Sequence, residues 1–297
     1  MKYYVIYNPI SGNGQAEKLA HSLSEKVDGE IIGCADMTKI TNYSAFMSDK
    51  TDCALVICGG DGTLNRFVND TEGVDFANDV YFCAAGTGND FLRDIGGTEG
   101  ELVKINDYIK DLPICEIGGK KYKFINGVGY GIDGYCCEIG DKLRAEGKTD
   151  INYTGIAIKG LLFAYKPLNA KVTVDGVERH YKKVWIAPTM NGRFYGGGMM
   201  PAPEQKRNNE EGKVSVMIFH RSGKLKTLMI FPSLFKGEHL KHTKYVELIE
   251  GKEISVEFDA PAPLQIDGET HLGIMGYKVR SVKAAKNKEK EEVKVGE

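Results

Sequence analysis

A short apolar run followed by glycines constrains the fold of this chain most. Residues 53–58 are continuously apolar, and residues 59–65 read Gly-Gly-Asp-Gly-Thr-Leu-Asn. The apolar run predicts a buried parallel strand, and the residues after the glycines predict the start of a helix. This unit suits a phosphate, because backbone N–H groups and the helix dipole favour an anion there. The glycines allow that anion to approach the backbone closely.

Asp61 is the unexpected residue in this stretch, because a carboxylate repels a phosphate. The repulsion becomes useful if a divalent cation bridges the two groups, or if the carboxylate accepts a proton from an attacking hydroxyl. The alternative is a tight strand-to-helix turn in which Asp61 only caps the helix. The stretch by itself predicts an anion-binding turn and leaves the role of Asp61 open.

The first third of the chain alternates strands and helices. Strands are predicted at residues 3–7, 30–34, 53–58 and 80–85, with helical spacing between them. The spacing of Leu102, Ile105 and Ile109 predicts one further helix. This alternation indicates a parallel sheet covered by helices, on which ligands bind outside the carboxyl ends of the strands. Three glycine-containing loops should therefore gather at one edge.

The pattern changes near residue 112, where hairpin turn signals begin to separate short alternating strands. These signals predict a second, mostly antiparallel β domain at residues 118–275, after a first domain at residues 1–117. Four dipeptides carry the turn signals: Gly118-Gly119, Asp175-Gly176, Glu250-Gly251 and Asp267-Gly268.

Composition excludes several classes of function. The 297 residues carry a net charge of −2, so no global basic field argues for nucleic acid. No apolar run approaches the ~18 residues needed to span a bilayer. The seven cysteines are scattered, which favours free thiols in a reducing cytosol over disulfides. The chain starts with Met-Lys and a predicted strand, so we expect a cytoplasmic protein without a signal peptide.

Several motifs in order resemble the diacylglycerol kinase catalytic domain family, which includes bacterial lipid kinases, sphingosine and ceramide kinases and, more distantly, NAD kinases. The resemblance covers nearly the whole chain. It rests on Asn8-Pro9-Ile10-Ser11-Gly12, on Gly59–Asn65, on Gly86–Arg93 (Gly-Thr-Gly-Asn-Asp-Phe-Leu-Arg), on Phe124–Gly131, on Gly237-Glu238-His239 and on Ile266-Asp267-Gly268-Glu269.

The resemblance implies a Rossmann-like α/β nucleotide-binding domain and an antiparallel β-sandwich domain, with the active site in the cleft between them. It also implies that residues 276–297 return to the first domain. The implied activity is an ATP-dependent kinase that phosphorylates a lipid hydroxyl, with diacylglycerol as the first candidate. The alternatives are a kinase for a sphingoid lipid, another phospholipid or NAD, and a regulator that binds a lipid or nucleotide but has lost catalysis.

The resemblance further implies residue roles. Asp61, Asp90 and Glu116 would organise Mg²⁺ directly or through water, Glu211 would mark a structural metal site, and Glu269 would accept the proton of the acceptor. The residues implied to hold ATP are Asn8, Ser11, Gly12, Gly59, Gly60, Gly62, Thr63, Asn65, Gly86, Thr87 and Asn89.

Four residues depart from the family pattern, and the first is Asn13, which stands where the family often has a basic residue after Ser-Gly. Arg66 stands where the family has Glu, Glu116 where it has Asp, and Glu211 where an Asp-Gly turn holds the structural metal in some members. Arg66 therefore places a cation where the family has an anion beside the nucleotide.

Residues 220–244 mix lysines with large apolar side chains. This composition is typical of an amphipathic patch at a membrane surface, and equally of a helix packed on the second domain. We expect weak, salt-sensitive contact with the inner face of the membrane, and a homodimer is left open.

Overall fold

We describe a computed structural model of the chain, in which residues 1–85, 89–148, 151–283 and 285–286 are placed. Its contacts divide the chain into two compact units, Met1–Lys110 and Asp111–Glu297. Each unit is described by itself.

The first unit contains five strands and five α-helices within the described residues. The strands are β1 (Lys2–Tyr7), β2 (Glu30–Asp36), β3 (Ala54–Gly59), β4 (Val80–Ala84) and β5 (Val103–Lys104). The helices are α1 (Gln15–Ser22), α2 (Tyr43–Met47), α3 (Asp61–Asp70), α4 (Asp90–Asp94) and α5 (Asn106–Ile109).

The strands form one sheet in the order β2-β1-β3-β4-β5. The first four strands are parallel, and β5 runs antiparallel to β4. Helix α3 packs its Leu64, Phe67 and Val68 inward, as the i, i+3, i+4 spacing requires. The predicted α/β fold of the first domain is confirmed.

The single helix predicted from Leu102, Ile105 and Ile109 is wrong, because β5 precedes a short α5 there. The Asn106 side chain accepts a hydrogen bond from the Val80 N–H at 2.8 Å, and the Ile105 N–H donates to the Val80 carbonyl at 2.8 Å. These contacts with β4 compete with helix formation at residues 103–105.

The second unit contains ten strands and three α-helices within the described residues. The strands are β6 (Ile114–Ile117), β7 (Lys120–Lys123), β8 (Gly127–Tyr130), β9 (Leu168–Val174), β10 (Val177–Val184), β11 (Thr189–Met190), β12 (Val214–Phe219), β13 (Val246–Gly251), β14 (Glu253–Ile266) and β15 (Glu269–Arg280). The helices are α6 (Ile132–Ala145), α7 (Tyr153–Lys159) and α8 (Lys224–Ile230). A π-helical turn follows α7 at Gly160–Ala164, and 3₁₀ turns occupy Phe231–Lys236 and His239–Lys241.

These strands belong to one antiparallel sheet, in the order β13-β12-β11-β8-β14-β15-β6-β7, with β9 and β10 branching from β14. The long strand β14 pairs with β8, β9 and β15 in turn. Its buried side chains, including Ile254, Val256 and Leu264, contribute to the main core of the unit. The predicted antiparallel second domain is confirmed.

The end of the sequence bears on the expected domain boundaries. Residues 278–280 pair with residues 114–116 in the sheet of the second unit. Both stretches lie in the unit Asp111–Glu297, although residues 114–116 were predicted to end the first domain. The predicted boundary at residue 117 and the return of residues 276–297 stay predictions. Residues 287–297 lie outside the described residues. In the ranges that are described, no helix combines the length and apolar character needed to cross a bilayer.

Candidate active site

The loops after β1 and β3 are joined at the carboxyl edge of the parallel sheet. The Ser11 hydroxyl accepts a hydrogen bond from the Gly60 N–H at 3.0 Å, and the Asn8 N–H donates to the Cys58 carbonyl at 3.4 Å. Residues Gly12, Asn13 and Gly14 have φ angles of 57°, 54° and 84°, so the loop turns back sharply beside Gly60.

Asp61 links the loop after β3 to the helix after β4. Its carboxylate accepts hydrogen bonds from the backbone N–H of Asp90 at 2.8 Å and of Phe91 at 3.3 Å. Asp61 therefore caps the first turn of α4, while it is itself the first residue of α3. The sequence allowed Asp61 to cap the helix that follows the glycines. In the structure Asp61 does cap a helix, but that helix is α4 and not α3.

Gly59 and Gly62 differ in whether packing requires a glycine at their position. A Cβ on Gly59 would collide with the Thr63 side chain, which is buried beneath it. A Cβ at Gly62 would meet no described atom within 4 Å other than those of its chain neighbours and of its own helix backbone. Packing inside the unit therefore does not require Gly62, and the surface in front of the first turn of α3 is open to a ligand.

Of the remaining residues expected to hold the nucleotide, the structure describes Asn65 and Asn89 but not Gly86 and Thr87. Asn65 is buried in α3, and its side-chain oxygen accepts from the Asn69 amide at 3.3 Å. Asn89 precedes α4 and reaches Gly60, with its Oδ1 at 3.9 Å from where a Cβ on Gly60 would lie. Gly86 and Thr87 lie outside the described residues, so their expected role stays a prediction.

Arg66 points along α3 rather than along the glycine turn. Its Nε donates to the Asp70 carboxylate at 3.1 Å, in an i, i+4 pair in which both side chains are partly exposed. The extra cation is therefore partly neutralised by Asp70, one helical turn beyond the site.

We expect Arg66→Glu to leave turnover within about tenfold of the wild type, or ~1.4 kcal/mol of barrier. The change replaces an ion pair with Asp70 by a like-charge pair, so the free energy of unfolding should fall by roughly 0.4–1 kcal/mol. Steady-state kinetics with a urea unfolding curve measures both. An inactive wild type rescued by this change would contradict the prediction and mark the natural chain as a lapsed kinase.

The carboxylates implied to hold Mg²⁺ are divided between the two units. Asp61 and Asp90 lie at the start of α3 and of α4, and Asp90 is buried. Glu116 lies on β6 of the second unit, opposite Lys278 and Lys121. Among the residues described, no three His, Cys, Asp or Glu side chains are grouped as a ready-made metal site.

Glu211, where a structural metal site is expected, has a lysine as its partner. The Glu211 side chain is exposed and forms an ion pair with Lys213, at 2.7 Å between Oε2 and Nζ. This hydrogen-bonded ammonium lowers the pKa of the Glu211 carboxyl. The role of Glu211 as a structural metal ligand stays a prediction.

Glu269 lies on the hairpin that joins β14 and β15. The turn residues Asp267 and Gly268 have φ angles of 45° and 96°, as a two-residue hairpin requires. Glu269 is exposed and pairs with Ile266 across the turn. The next residue, Thr270, donates its hydroxyl to the Asp141 carboxylate of α6 at 2.6 Å, which ties the hairpin to a helix.

Asp267 has a structural role that the sequence analysis missed. Its carboxylate accepts hydrogen bonds from three successive backbone N–H groups, those of Ile125, Asn126 (2.8 Å) and Gly127 (3.0 Å). The guanidinium of Arg207 donates to the Asn126 side chain at 2.6 Å. The Asp-Gly dipeptide signals a turn, but nothing in the sequence pairs it with a segment 140 residues away.

A buried polar cluster next to β8 was also missed. Asp133, near the start of α6, accepts a hydrogen bond from the Tyr195 hydroxyl at 2.9 Å. Among the described residues, no donor reaches its Oδ1. A Cβ on Gly129 would collide with Asp133 and with Gln265, so that glycine makes room for the cluster. Burial raises the pKa of Asp133 to about 6, against the ordinary 3.8.

Asp133 should make the stability of the protein depend on pH. Between pH ~4 and ~6 the folded state retains a proton that the unfolded state has lost. The free energy of unfolding should therefore fall as the pH rises through this window, by roughly 2–3 kcal/mol from this group. Asp133→Asn should remove that part of the pH dependence in urea unfolding curves, whereas exposed Asp52→Asn should not. Identical profiles for wild type and Asp133→Asn would contradict the prediction.

Two family models match the chain in order. Residues 2–113 match the diacylglycerol kinase catalytic domain, and residues 126–285 match the YegS C-terminal NAD kinase beta sandwich-like domain. The two matches confirm the resemblance inferred from the motifs.

Similar proteins share most of the length of the chain. A diacylglycerol kinase of Mycobacterium tuberculosis H37Rv is 26% identical over 270 residues, covering 86% of this chain and 85% of the relative. A diacylglycerol kinase of Bacillus subtilis is 23% identical over 282 residues, with 89% and 88% covered. The crystal structure of a diacylglycerol kinase from Bacillus anthracis has the same fold, with a TM-score of 0.59 at 18% identity and 95% and 93% covered.

Proposed function

The chain belongs to the diacylglycerol kinase family of phosphotransferases, and on that premise we propose that it transfers the γ-phosphate of ATP to the hydroxyl of a diacylglycerol. Support for a lipid kinase comes from the family models and from relatives that carry the diacylglycerol kinase name. The choice of diacylglycerol among lipids rests on the names of those relatives.

The observation that carries the proposal is the joining of the loop after β1, the glycine turn after β3 and the start of α4 at one sheet edge. Ser11 contacts Gly60, and Asp61 holds the start of α4. In front of them, the open position at Gly62 leaves the first turn of α3 accessible. A helix N-terminus beside a glycine loop stabilises phosphate groups through its N–H groups and dipole. We assign this edge to the phosphates of ATP.

Mg²⁺ fits the donor set of this edge. Mg²⁺ is bound by one or two carboxylates together with substrate phosphates and water, so a cluster of three protein ligands is not required. Asp61 and Asp90 would supply the carboxylates at this edge, whereas Glu116, in the second unit, is a candidate from the family resemblance alone. When bound, the ion neutralises charge on the transferred phosphoryl group. Asp61 would then exchange hydrogen bonds with α4 for contact with the ion or its water.

Glu269 is assigned to accept the proton of the acceptor hydroxyl. In the proposed step, the hydroxyl oxygen forms a bond to the γ-phosphorus while its proton passes to the Glu269 carboxylate. The bond from the γ-phosphorus to the β,γ-bridging oxygen breaks, and ADP leaves with the electron pair. Because phosphoryl transfer depends mainly on positioning and charge neutralisation, the tethered hairpin suits this role.

Phosphorylation of a lipid mixture with radiolabelled ATP tests the proposal directly. Purified diacylglycerol, sphingosine, ceramide and NAD would be assayed beside the extract, with Asp61→Asn as the inactive control. We expect label in phosphatidic acid above the other products. Label in NADP alone, or in none of the lipids, would contradict the proposed acceptor.

A further inference from the structure

Two neighbouring segments of the second unit expose large apolar side chains. Phe163 in the π-helical turn is 81% exposed, and Leu225 and Met229 of α8 are 74% and 73% exposed. Ile158 of α7 and Phe235 of the following 3₁₀ turn are also exposed. We call these five residues the docking surface.

The helix α8 presents its apolar residues on two opposite sides. Thr227 and Ile230 are buried and face the unit, whereas Leu225 and Met229 lie one turn apart on the outer side. Packing therefore does not account for Leu225 and Met229. The sequence of residues 220–244 fitted either a helix packed on the second domain or an amphipathic patch at a membrane. Helix α8 has both features, because one side packs on the unit and the other side is exposed.

The two segments are held against each other and against α6. The Lys224 ammonium donates to the Leu162 carbonyl at 2.7 Å, which joins the start of α8 to the π-helical turn. Gly160, at the start of that turn, lies so close to Ile132 and Tyr135 of α6 that a Cβ would not fit. The docking surface is thus supported by fixed backbone rather than by a loose loop.

The two segments that carry the docking surface contain charges of one sign only. Residues 153–166 and 224–236 contain five lysines and no Asp or Glu. The remainder of the chain is acidic on balance, since the net charge of the whole is −2. The lysines are Lys159, Lys166, Lys224, Lys226 and Lys236, and all five are exposed.

We propose that the docking surface inserts into the interface of an anionic lipid bilayer, with the five lysines against the headgroups. Exposed apolar side chains flanked by lysines favour the headgroup–acyl boundary, and each lysine adds attraction to acidic lipid. The choice of a bilayer as the occupant rests on the proposed function, because a diacylglycerol acceptor resides in a membrane. The charge complementarity is independent of that function.

The apolar part is tested with the variant Phe163→Ser/Leu225→Ser/Met229→Ser. Co-sedimentation with phosphatidylglycerol-containing vesicles, without ATP, should show binding at least about tenfold weaker than for the wild type. Val177→Ser, which removes another half-exposed apolar side chain in the same unit, should bind like the wild type. Circular dichroism and thermal melting verify that the triple variant is folded.

The charged part is tested with Lys159→Gln/Lys226→Gln/Lys236→Gln. Each lysine should contribute about fivefold to binding at low salt, so this variant should lose most of the difference between low and high salt. Lys182→Gln, an exposed lysine on β10, is the matched control. Vesicles of phosphatidylcholine alone should bind the wild type and the lysine variant equally.

The outcomes separate this proposal from the proposed function. Wild-type vesicle binding by a folded triple serine variant would overturn the docking surface, whatever the kinase assay shows. If the chain phosphorylated no lipid but still bound vesicles through the docking surface, the docking surface would be supported and the proposed lipid acceptor would be refuted. A dimer that the triple variant dissociates, without vesicle binding by the wild type, would overturn the membrane assignment in favour of a second copy of the chain.

Discussion

Asp61→Asn is expected to lower turnover by a factor of hundreds or more while the melting temperature changes little. The carboxylate lies at the first turn of α3, where the proposed chemistry needs it for the metal ion and for charge organisation. An asparagine Oδ1 can still accept a hydrogen bond from the Asp90 N–H, so the cap of α4 is retained in part. The loss should therefore appear in kcat rather than in the free energy of unfolding.

Asp70→Asn is the matched control for this change. Asp70 lies in the same helix, but its carboxylate pairs with Arg66, away from the glycine turn. Loss of an i, i+4 pair reduces stability by only a few tenths of a kcal/mol and should leave kcat near the wild-type value. Equal activity of Asp61→Asn and wild type would remove Asp61 from the mechanism.

Glu269→Gln is expected to lower kcat by about 10²–10⁴-fold, the usual contribution of a positioned base. Glutamine keeps the shape of the side chain and cannot accept the proton. ATP affinity should hardly change, because Glu269 is assigned to the acceptor and not to the nucleotide. Single-turnover kinetics, together with nucleotide binding measured by calorimetry, separates the two quantities.

Glu178→Gln provides the control for Glu269→Gln. Glu178 is a partly exposed glutamate on the Asp-Gly hairpin that joins β9 and β10. Its carboxylate contacts the side chains of His180 and Lys171. Its loss should affect neither kcat nor ATP binding. If Glu269→Gln behaved in the same way, the β14–β15 hairpin would be only structural and the base would have to be Asp61 or a water molecule.

Hairpin turns were predictable from the sequence where the turn dipeptide itself adopts the positive φ angles that the turn needs. Three of the four dipeptides, at 118–119, 175–176 and 267–268, have both φ angles positive and join neighbouring strands. Glu250-Gly251 is different, because β13 pairs with β12 while β14 pairs elsewhere. Gly251 is instead a strand residue where a Cβ would collide with Val174. A glycine required by a distant neighbour cannot be distinguished from a turn glycine in the sequence.

The gathering of the first-unit loops at one edge followed from the parallel strand order, and it is observed for the loops after β1 and β3. The individual side-chain contacts could not be predicted from the strand order. Asp61 meets a helix that begins 29 residues later, and Asp133 meets Tyr195 62 residues later. Such pairs depend on how the whole sheet is ordered, which composition and spacing do not encode. The implied roles of Glu116 and Glu269 remain predictions that come from the family resemblance.

The three hydrogen bonds of Asp267 have a consequence for the order in which the protein folds during synthesis. The first unit pairs all five of its strands within its first 110 residues, so its sheet can form early. In the second unit, β6 and β8 find one partner each in β7 and β11, but their other partners, β15 and β14, are made last. The N–H groups of Ile125, Asn126 and Gly127 obtain their common acceptor only when residue 267 emerges. Because pairing over such separations is slow, the second unit should be the late and aggregation-exposed half of the nascent chain.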